Sequence, residues 1–582
     1  METDKRVNIL IVLLILLLGG LVRYPCVIYA PFYNSDTAVL DLMARHLSQG
    51  ERCLYYWHET YYGAVDPWLL RPLFHVFGQT PQVSQSLGFI LSIIFLALFH
   101  HVVQRVAGPI VAHVSTLLMA IPPPIVLAIF FTVYAYPITG ILGLLQWELA
   151  LNWLEQPSRR LWPLALGLAA GFSWYYFHVI LFFWLAFGAA FWFSKTGCKA
   201  RARLSQWWEE HTFWSDVIWL DHFQGPKGLK IFLRAVNILN LVNFLLALRL
   251  WFPGELVYSW KYLHADRRFG PTLQISITTG LIVFVLVKGP ALMAGLRRLF
   301  RIPGMGLLAA GFGIGFLPAL YGIATGRLPH SPGRYNAWPD VLVNLKTLFG
   351  GILPAYSGAH DSLWLTLPRW GFILAGVLWL GKPMRYALRS GKAGIPALLF
   401  PCFAMINFVM SLACVSLWDI HTARYLFPFF LSAAVGMGMA WQWLRHRQVI
   451  VAWVLLIMVL AGQFRAEARQ WHRGLSGSYT DLVKRLAAKG VQGGYADYWI
   501  AYRVTAESHE KTVIVPTGND DRYPLFLAQV RDLETPVLLG QALPGWVKTI
   551  TVKDTIYDIV GQENPGGWPI VYLRKIRSAT EL

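Results

Sequence analysis

Val7-Asn8-Ile9-Leu10-Ile11-Val12-Leu13-Leu14-Ile15-Leu16-Leu17-Leu18-Gly19-Gly20-Leu21-Val22 leads into Tyr33-Asn34-Ser35-Asp36-Thr37-Ala38, and this junction decides the fold. The first stretch is an apolar run preceded by Lys5 and Arg6. A cleaved leader would need a small-residue site after the run. Arg23-Tyr24-Pro25 stands there instead, so the run reads as a retained first helix. Apolar runs of roughly 17–23 residues recur down the chain, each long enough to cross about 30 Å of hydrocarbon. Asp36 therefore opens a polar, aromatic loop at the mouth of a membrane-embedded helical bundle.

Composition agrees. Of 582 residues, 56% are hydrophobic and only 14% charged, against about 25% charged in soluble domains. Mean hydropathy is +0.46. The formal net charge of +19 would suggest nucleic acid in a soluble chain. Here the basic residues fall between apolar runs, as cytoplasmic loops require, so nucleic acid is set aside as a partner. The 26 Trp and 25 Tyr suit anchoring at membrane interfaces and contact with membrane lipids.

The runs predict a polytopic α-helical membrane protein of about thirteen spans. They lie at about 7–22, 84–103, 109–131, 136–154, 161–173, 176–193, 231–251, one ending near 288, 304–323, one after 368, 395–417, 425–444 and 449–462. Lys5 and Arg6 place the N-terminus in the cytoplasm, and an odd count puts the C-terminus on the opposite side. Residues 1–464 then form the transmembrane domain, with a first external loop over 23–80 and a long one over 324–368. Residues 465–582 read as a small extracytoplasmic α/β domain: a helix over Tyr479–Lys489, then β-rich runs at Thr512–Pro516 and Pro536–Leu539.

Candidate chemistry gathers on the external side. Asp36–Gln49 has Val39, Leu42, Met43 and Leu47 at helical spacing, and Asp66-Pro67 opens a second short helix with Asp66 as its N-cap. Asp36 and Asp66 are candidate acid–base groups, with Glu59 in support. The simpler alternative for Asp36 is also an N-cap. His58 and Glu59, with Asp36, are candidate ligands for a divalent metal, against a plain surface role for His58. No other cofactor is implied. Arg424, with His421 one turn earlier, and Arg327, His330 and Arg334 in the long loop offer donors to phosphate. Interfacial snorkelling is the alternative for Arg424. Cys26 and Cys53 flank Asp36 and are able to pair in an oxidising compartment.

Asp36-Thr37-Ala38-Val39 through Leu42-Met43-Ala44-Arg45-His46, Gly50-Glu51, Tyr61-Tyr62-Gly63-Ala64-Val65-Asp66 and Phe74-His75-Val76-Phe77-Gly78 resemble the first loop of bacterial membrane glycosyltransferases of the GT-C superfamily. The likeness is to the protein O-mannosyltransferase and lipid A aminoarabinose transferase families. Arg424-Tyr425-Leu426-Phe427-Pro428 resembles an arginine-tyrosine motif of the same group. Tyr495-Ala496-Asp497-Tyr498-Trp499-Ile500-Ala501-Tyr502-Arg503 and Asp521-Arg522-Tyr523-Pro524 resemble the tail of one uncharacterised bacterial branch. The resemblance implies a GT-C fold in the bacterial inner membrane with its C-terminal domain in the periplasm. It implies a polyprenyl-phosphate sugar donor, a lipid, glycan or protein acceptor, and inversion at the anomeric carbon. Asp36 takes the place of the loop aspartate that orients or deprotonates the acceptor. Arg424, with Tyr425 and Tyr62 nearby in the motifs, takes the donor side. Asp66 stands where that branch has a glutamate. A second acid expected in the next external loop is replaced by Tyr134-Ala135-Tyr136-Pro137, which weakens a two-acid or metal-dependent mechanism. The alternatives are a ligase or polymerase using a diphosphate-linked glycan, and a non-enzymatic lipid or glycan transporter. A transporter would place ionisable residues near the bilayer midplane, where Glu148 is the main candidate.

Overall fold

A computed structural model describes residues 2–59, 62–132, 134–198, 303–325, 338–352, 363–414, 424–474, 479–518, 521–564 and 567–578. From the N-terminus the helices are α1 (Glu2–Tyr29), α2 (Ser35–Ser48), α3 (Val65–Phe77), α4 (Pro81–Ala107), α5 (Pro109–Ala120), α6 (Pro124–Thr132), α7 (Ala135–Glu155), α8 (Leu161–Tyr176) and α9 (Leu181–Phe193). After the gap in the description come α10 (Met305–Gly315), α11 (Leu317–Ala324), α12 (Trp338–Thr347), α13 (Leu363–Ser390), α14 (Ile395–Cys414), α15 (Phe427–Arg447) and α16 (Val449–Gly474). The expected helices over 231–251 and up to 288 lie outside the described residues.

Among the described residues, three helices are by themselves long and apolar enough to cross a membrane: Arg6–Tyr29, Pro81–Ala107 and Val449–Arg469. The number rises to six when helix pairs bent at a short break each count as one span. About thirteen spans are expected from the sequence, and at one of them the difference has a clear cause. The run over 109–131 breaks between α5 and α6 with a bend of 76°, because Pro122, Pro123 and Pro124 remove consecutive backbone donors. The carbonyls orphaned at the end of α5 are taken by a buried arginine. Arg23 on α1 donates to Ala120 O at 2.7 Å and to Met119 O at 2.8 Å. Glu467 on α16 is buried close by, within electrostatic reach of Arg23.

Close packing of α8 on α10 rests on two facing glycine pairs. A Cβ on Gly167 or Gly171 would overlap the carbonyl oxygens of Leu308 and Phe312, and one on Gly311 or Gly315 those of Leu164 and Leu168. Four-residue spacing puts each pair on one helix face, so the two backbones touch directly, as small residues allow in membranes.

The C-terminal region holds α17 (Tyr479–Ala488), β1 (Gly493–Ala496), α18 (Tyr498–Glu507), β2 (Val513–Pro516), α19 (Pro524–Arg531), β3 (Val537–Leu539), β4 (Thr549–Val552), β5 (Thr555–Glu563) and β6 (Ile570–Ser578). These strands form one six-stranded sheet in the order β2-β1-β3-β6-β5-β4. β1 runs parallel to β2 and β3, whose residues are wholly buried as a covered parallel sheet demands. β6, β5 and β4 complete the sheet as an antiparallel meander. Helix α18 leaves the C-terminal end of β1 and packs against α2 of the first loop.

Candidate active site

The first loop folds as the two short helices its periodicity implies, but their caps differ from expectation. Asn34, not Asp36, caps α2: its Oδ1 accepts from Thr37 N at 3.1 Å. That leaves the Asp36 carboxylate, in the first turn, free for other partners. Helix α3 begins at Val65 with Ala64 at the cap position and no side-chain cap bond, so Asp66 lies inside the first turn. Its carboxylate instead accepts from the Tyr176 hydroxyl, at 2.9 Å and 3.0 Å to its two oxygens.

Asp36 is the meeting point of three distant segments. Its Oδ2 accepts from Arg424 Nη1 at 2.9 Å and its Oδ1 from the Tyr498 hydroxyl at 2.6 Å. Arg424 stands in a short 3-10 turn, Arg424–Leu426, just before α15. That turn is pinned by α14. Asn407 Nδ2 and Ser411 Oγ donate to Tyr425 O at 3.0 Å and 3.2 Å, while Asn407 Oδ1 accepts from Phe429 N at 3.1 Å. A single buried amide thus satisfies an orphan donor of α15 and holds the arginine at the mouth. Tyr136, from the segment that lacks an acid, packs edge-on against Tyr425 with centroids 6.5 Å apart.

The C-terminal domain closes this site from outside. Ser35 Oγ donates to Tyr498 O at 2.5 Å, and Arg503 Nη1 donates to Tyr33 O at 2.9 Å. Arg522 pairs with Glu59, its guanidinium lying 5.4 Å from the Tyr56 ring and 5.5 Å from the Tyr498 ring. Tyr56 in turn donates to the Asp36 carbonyl at 3.4 Å.

An aromatic ladder runs inward from there. Tyr56 stacks on Tyr62 at 5.1 Å, and Tyr62 meets Tyr176 edge-on at 5.8 Å. Asp66 lies at its inner end, with no exposed surface, and burial raises its pKa from 3.8 to about 7 against the pull of the Tyr62 and Tyr176 hydroxyls. Asp41, further along α2, is buried too. Tyr33 and Ser84 donate to it at 2.8 Å and 2.6 Å, yet burial still raises its pKa to about 8.

Two readings of the first loop are corrected. Cys26 and Cys53 are not joined to each other by a disulfide. α1 continues to Tyr29 and carries Cys26 on the bundle face one turn from Arg23, whereas Cys53 sits in the loop beside Tyr175. Among the described residues no group of three or more His, Cys, Asp or Glu side chains is placed to hold a metal. A turn at Tyr56–Glu59 explains why: His58 adopts a left-handed backbone (φ 63°) and is exposed, while Glu59 faces Arg522. These donors do not fit a divalent ion. His421, Arg327, His330 and Arg334 lie outside the described residues. Glu148 pairs with Arg105 across α7 and α4.

No protein-family model matches the chain, and no curated protein does. Solved structures do. The chain is similar to the oligosaccharyltransferase of Archaeoglobus fulgidus in its apo form, at 12% identity and a TM-score of 0.44, over 91% of this chain and 69% of that one. It is also similar to ArnT from Cupriavidus metallidurans. In the apo state the identity is 11% and the TM-score 0.46 over 98% of both chains. For ArnT bound to undecaprenyl phosphate they are 11% and 0.42 over 97% of both.

Sequence reasoning passed over four residues of this site. Tyr498 and Arg522 lie in quoted motifs, but nothing local shows that they reach a carboxylate more than 400 positions away. Asn34 was hidden because Asn34, Ser35 and Asp36 are all good caps. Asn407 gave a usable signal, a lone amide in an apolar helix, which must find partners when buried.

Proposed function

We propose that the chain is an inverting glycosyltransferase that moves a sugar from a polyprenyl-phosphate donor to a lipid, glycan or protein acceptor at the periplasmic face of the bacterial inner membrane. One observation carries the reading: Asp36 and Arg424, 388 positions apart, meet at 2.9 Å at the mouth of the bundle. A base and a phosphate donor are thereby adjacent. In this scheme the donor phosphate replaces Asp36 as the partner of Arg424 and releases Oδ2. Asp36 then takes the proton of the acceptor, whose freed electron pair attacks the anomeric carbon opposite the phosphate. The glycosyl C–O bond breaks, its electrons stay with the phosphate, and Arg424 stabilises the charge that develops there. Asp66, sealed behind the tyrosines, supports the loop that carries Tyr62 rather than exchanging protons with substrate.

Asp36→Asn keeps the hydrogen-bonding shape but cannot take a proton. Transfer in a membrane assay with a lipid-linked sugar should fall at least about 100-fold, the span usual for a general base. Wild-type transfer by the folded variant would refute the assignment. Glu148 does not favour a transporter, since its charge is already matched by Arg105.

A further inference from the structure

The C-terminal domain does more than cover the mouth. Arg522 comes from the turn before α19, and its backbone N–H is fixed by the Tyr502 hydroxyl at 2.5 Å. Its guanidinium is held beside the rings of Tyr56 and Tyr498, both of which bond Asp36. Glu59 engages Nη1, while Nε is buried and has no acceptor among the described residues. A guanidinium offers five N–H donors in a planar fork suited to phosphate oxygens. The cluster contains two arginines, Arg424 and Arg522, each facing a carboxylate of the first loop, Asp36 and Glu59. It is electrically balanced only while both carboxylates stay in place. A ligand phosphate that displaces them would find two guanidiniums, one from the bundle and one from the domain.

We propose that Arg522 is the second ligand of the donor phosphate, so that the C-terminal domain supplies half of the anion site and Glu59 occupies that half until donor arrives. This rests on the glycosyltransferase reading and names a residue of the same site. The bland alternative is that Arg522 and Glu59 form an interdomain latch. The two readings differ in sign. A latch is broken equally by losing either partner, whereas a place-holder competes with phosphate.

The test is direct binding of a polyprenyl monophosphate to the purified full-length chain in detergent micelles, with no transfer step. Arg522→Gln should weaken binding about tenfold, the order of a lost charge-assisted contact. Arg522→Lys should recover part of it, and Glu59→Gln should tighten binding. Wild-type affinity in Arg522→Gln overturns the proposal, and so does equal weakening by Arg522→Gln and Glu59→Gln. Arg424→Gln serves as the separate control. If it binds as wild type, the donor-phosphate role given to Arg424 fails; if it alone weakens binding, that role stands and only Arg522 is lost.

Discussion

Asp41 and Asp36 lie on one helix and meet opposite fates. Asp36 faces Arg424 and Tyr498 at the mouth. Asp41, five residues on, points into the protein, where two hydroxyl donors do not offset the loss of water. Its pKa of about 8 in the fold, against 3.8 for the free group, sets a pH dependence. Between those values the folded state holds a proton that the unfolded state has released. Stability from this group is complete below 3.8 and is lost as pH rises to about 8. Asp41→Asn removes the titration while keeping an acceptor for Tyr33 and Ser84. Thermal unfolding in detergent from acid to mildly alkaline pH should therefore fall less steeply in Asp41→Asn than in wild type. Parallel curves would show that Asp41 does not carry a trapped proton.

At the scale of elements, the membrane helices were legible where an apolar run met an ordinary boundary. The run over 136–154 became α7 (Ala135–Glu155), and Tyr479–Lys489 became α17 within a residue. Legibility failed where hydrophobicity hides a backbone event. Pro122-Pro123-Pro124 is apolar enough to read through, yet it breaks the run into α5 and α6. Strands β4 and β5 went unread because their inward and outward residues mix polar with apolar, leaving no continuous run. The facing glycines of α8 and α10 make a prediction at this scale. In Gly171→Val, side-chain atoms meet the Phe312 carbonyl and the helices must part. Overpacking of this kind costs about 1–3 kcal/mol. The melting temperature in detergent should drop. An unchanged value would show that the helices do not need this contact.

Across the whole molecule, the expected topology puts Asp36 and Arg424 on one side of the membrane, but only the folded chain shows the C-terminal domain reaching Asp36. The docking surface contains its own titrating group. His46 on α2 touches Glu51 through Nδ1 at 2.6 Å and Glu510 of the domain through Nε2 at 3.3 Å. Arg45 also pairs with Glu510 at 3.2 Å, and Tyr523 donates to Glu51 at 3.1 Å, while the rings of Trp57, Tyr523 and Phe526 wall the imidazole. Burial disfavours the charged ring, but the two glutamates outweigh it and raise the pKa above 6.5. A raised histidine pKa means docking energy that is complete below 6.5 and lost as pH rises through the folded value. His509 is the other histidine nearby, and burial moves its pKa the opposite way, so it adds no such loss. His46→Gln keeps a polar group between the glutamates without the charge. Hydrogen exchange of Tyr498–Glu507, corrected for intrinsic rates, should speed up in wild type as pH rises above 6.5, and in His46→Gln should be fast at every pH. An identical pH profile in the two proteins would place the sensitivity elsewhere.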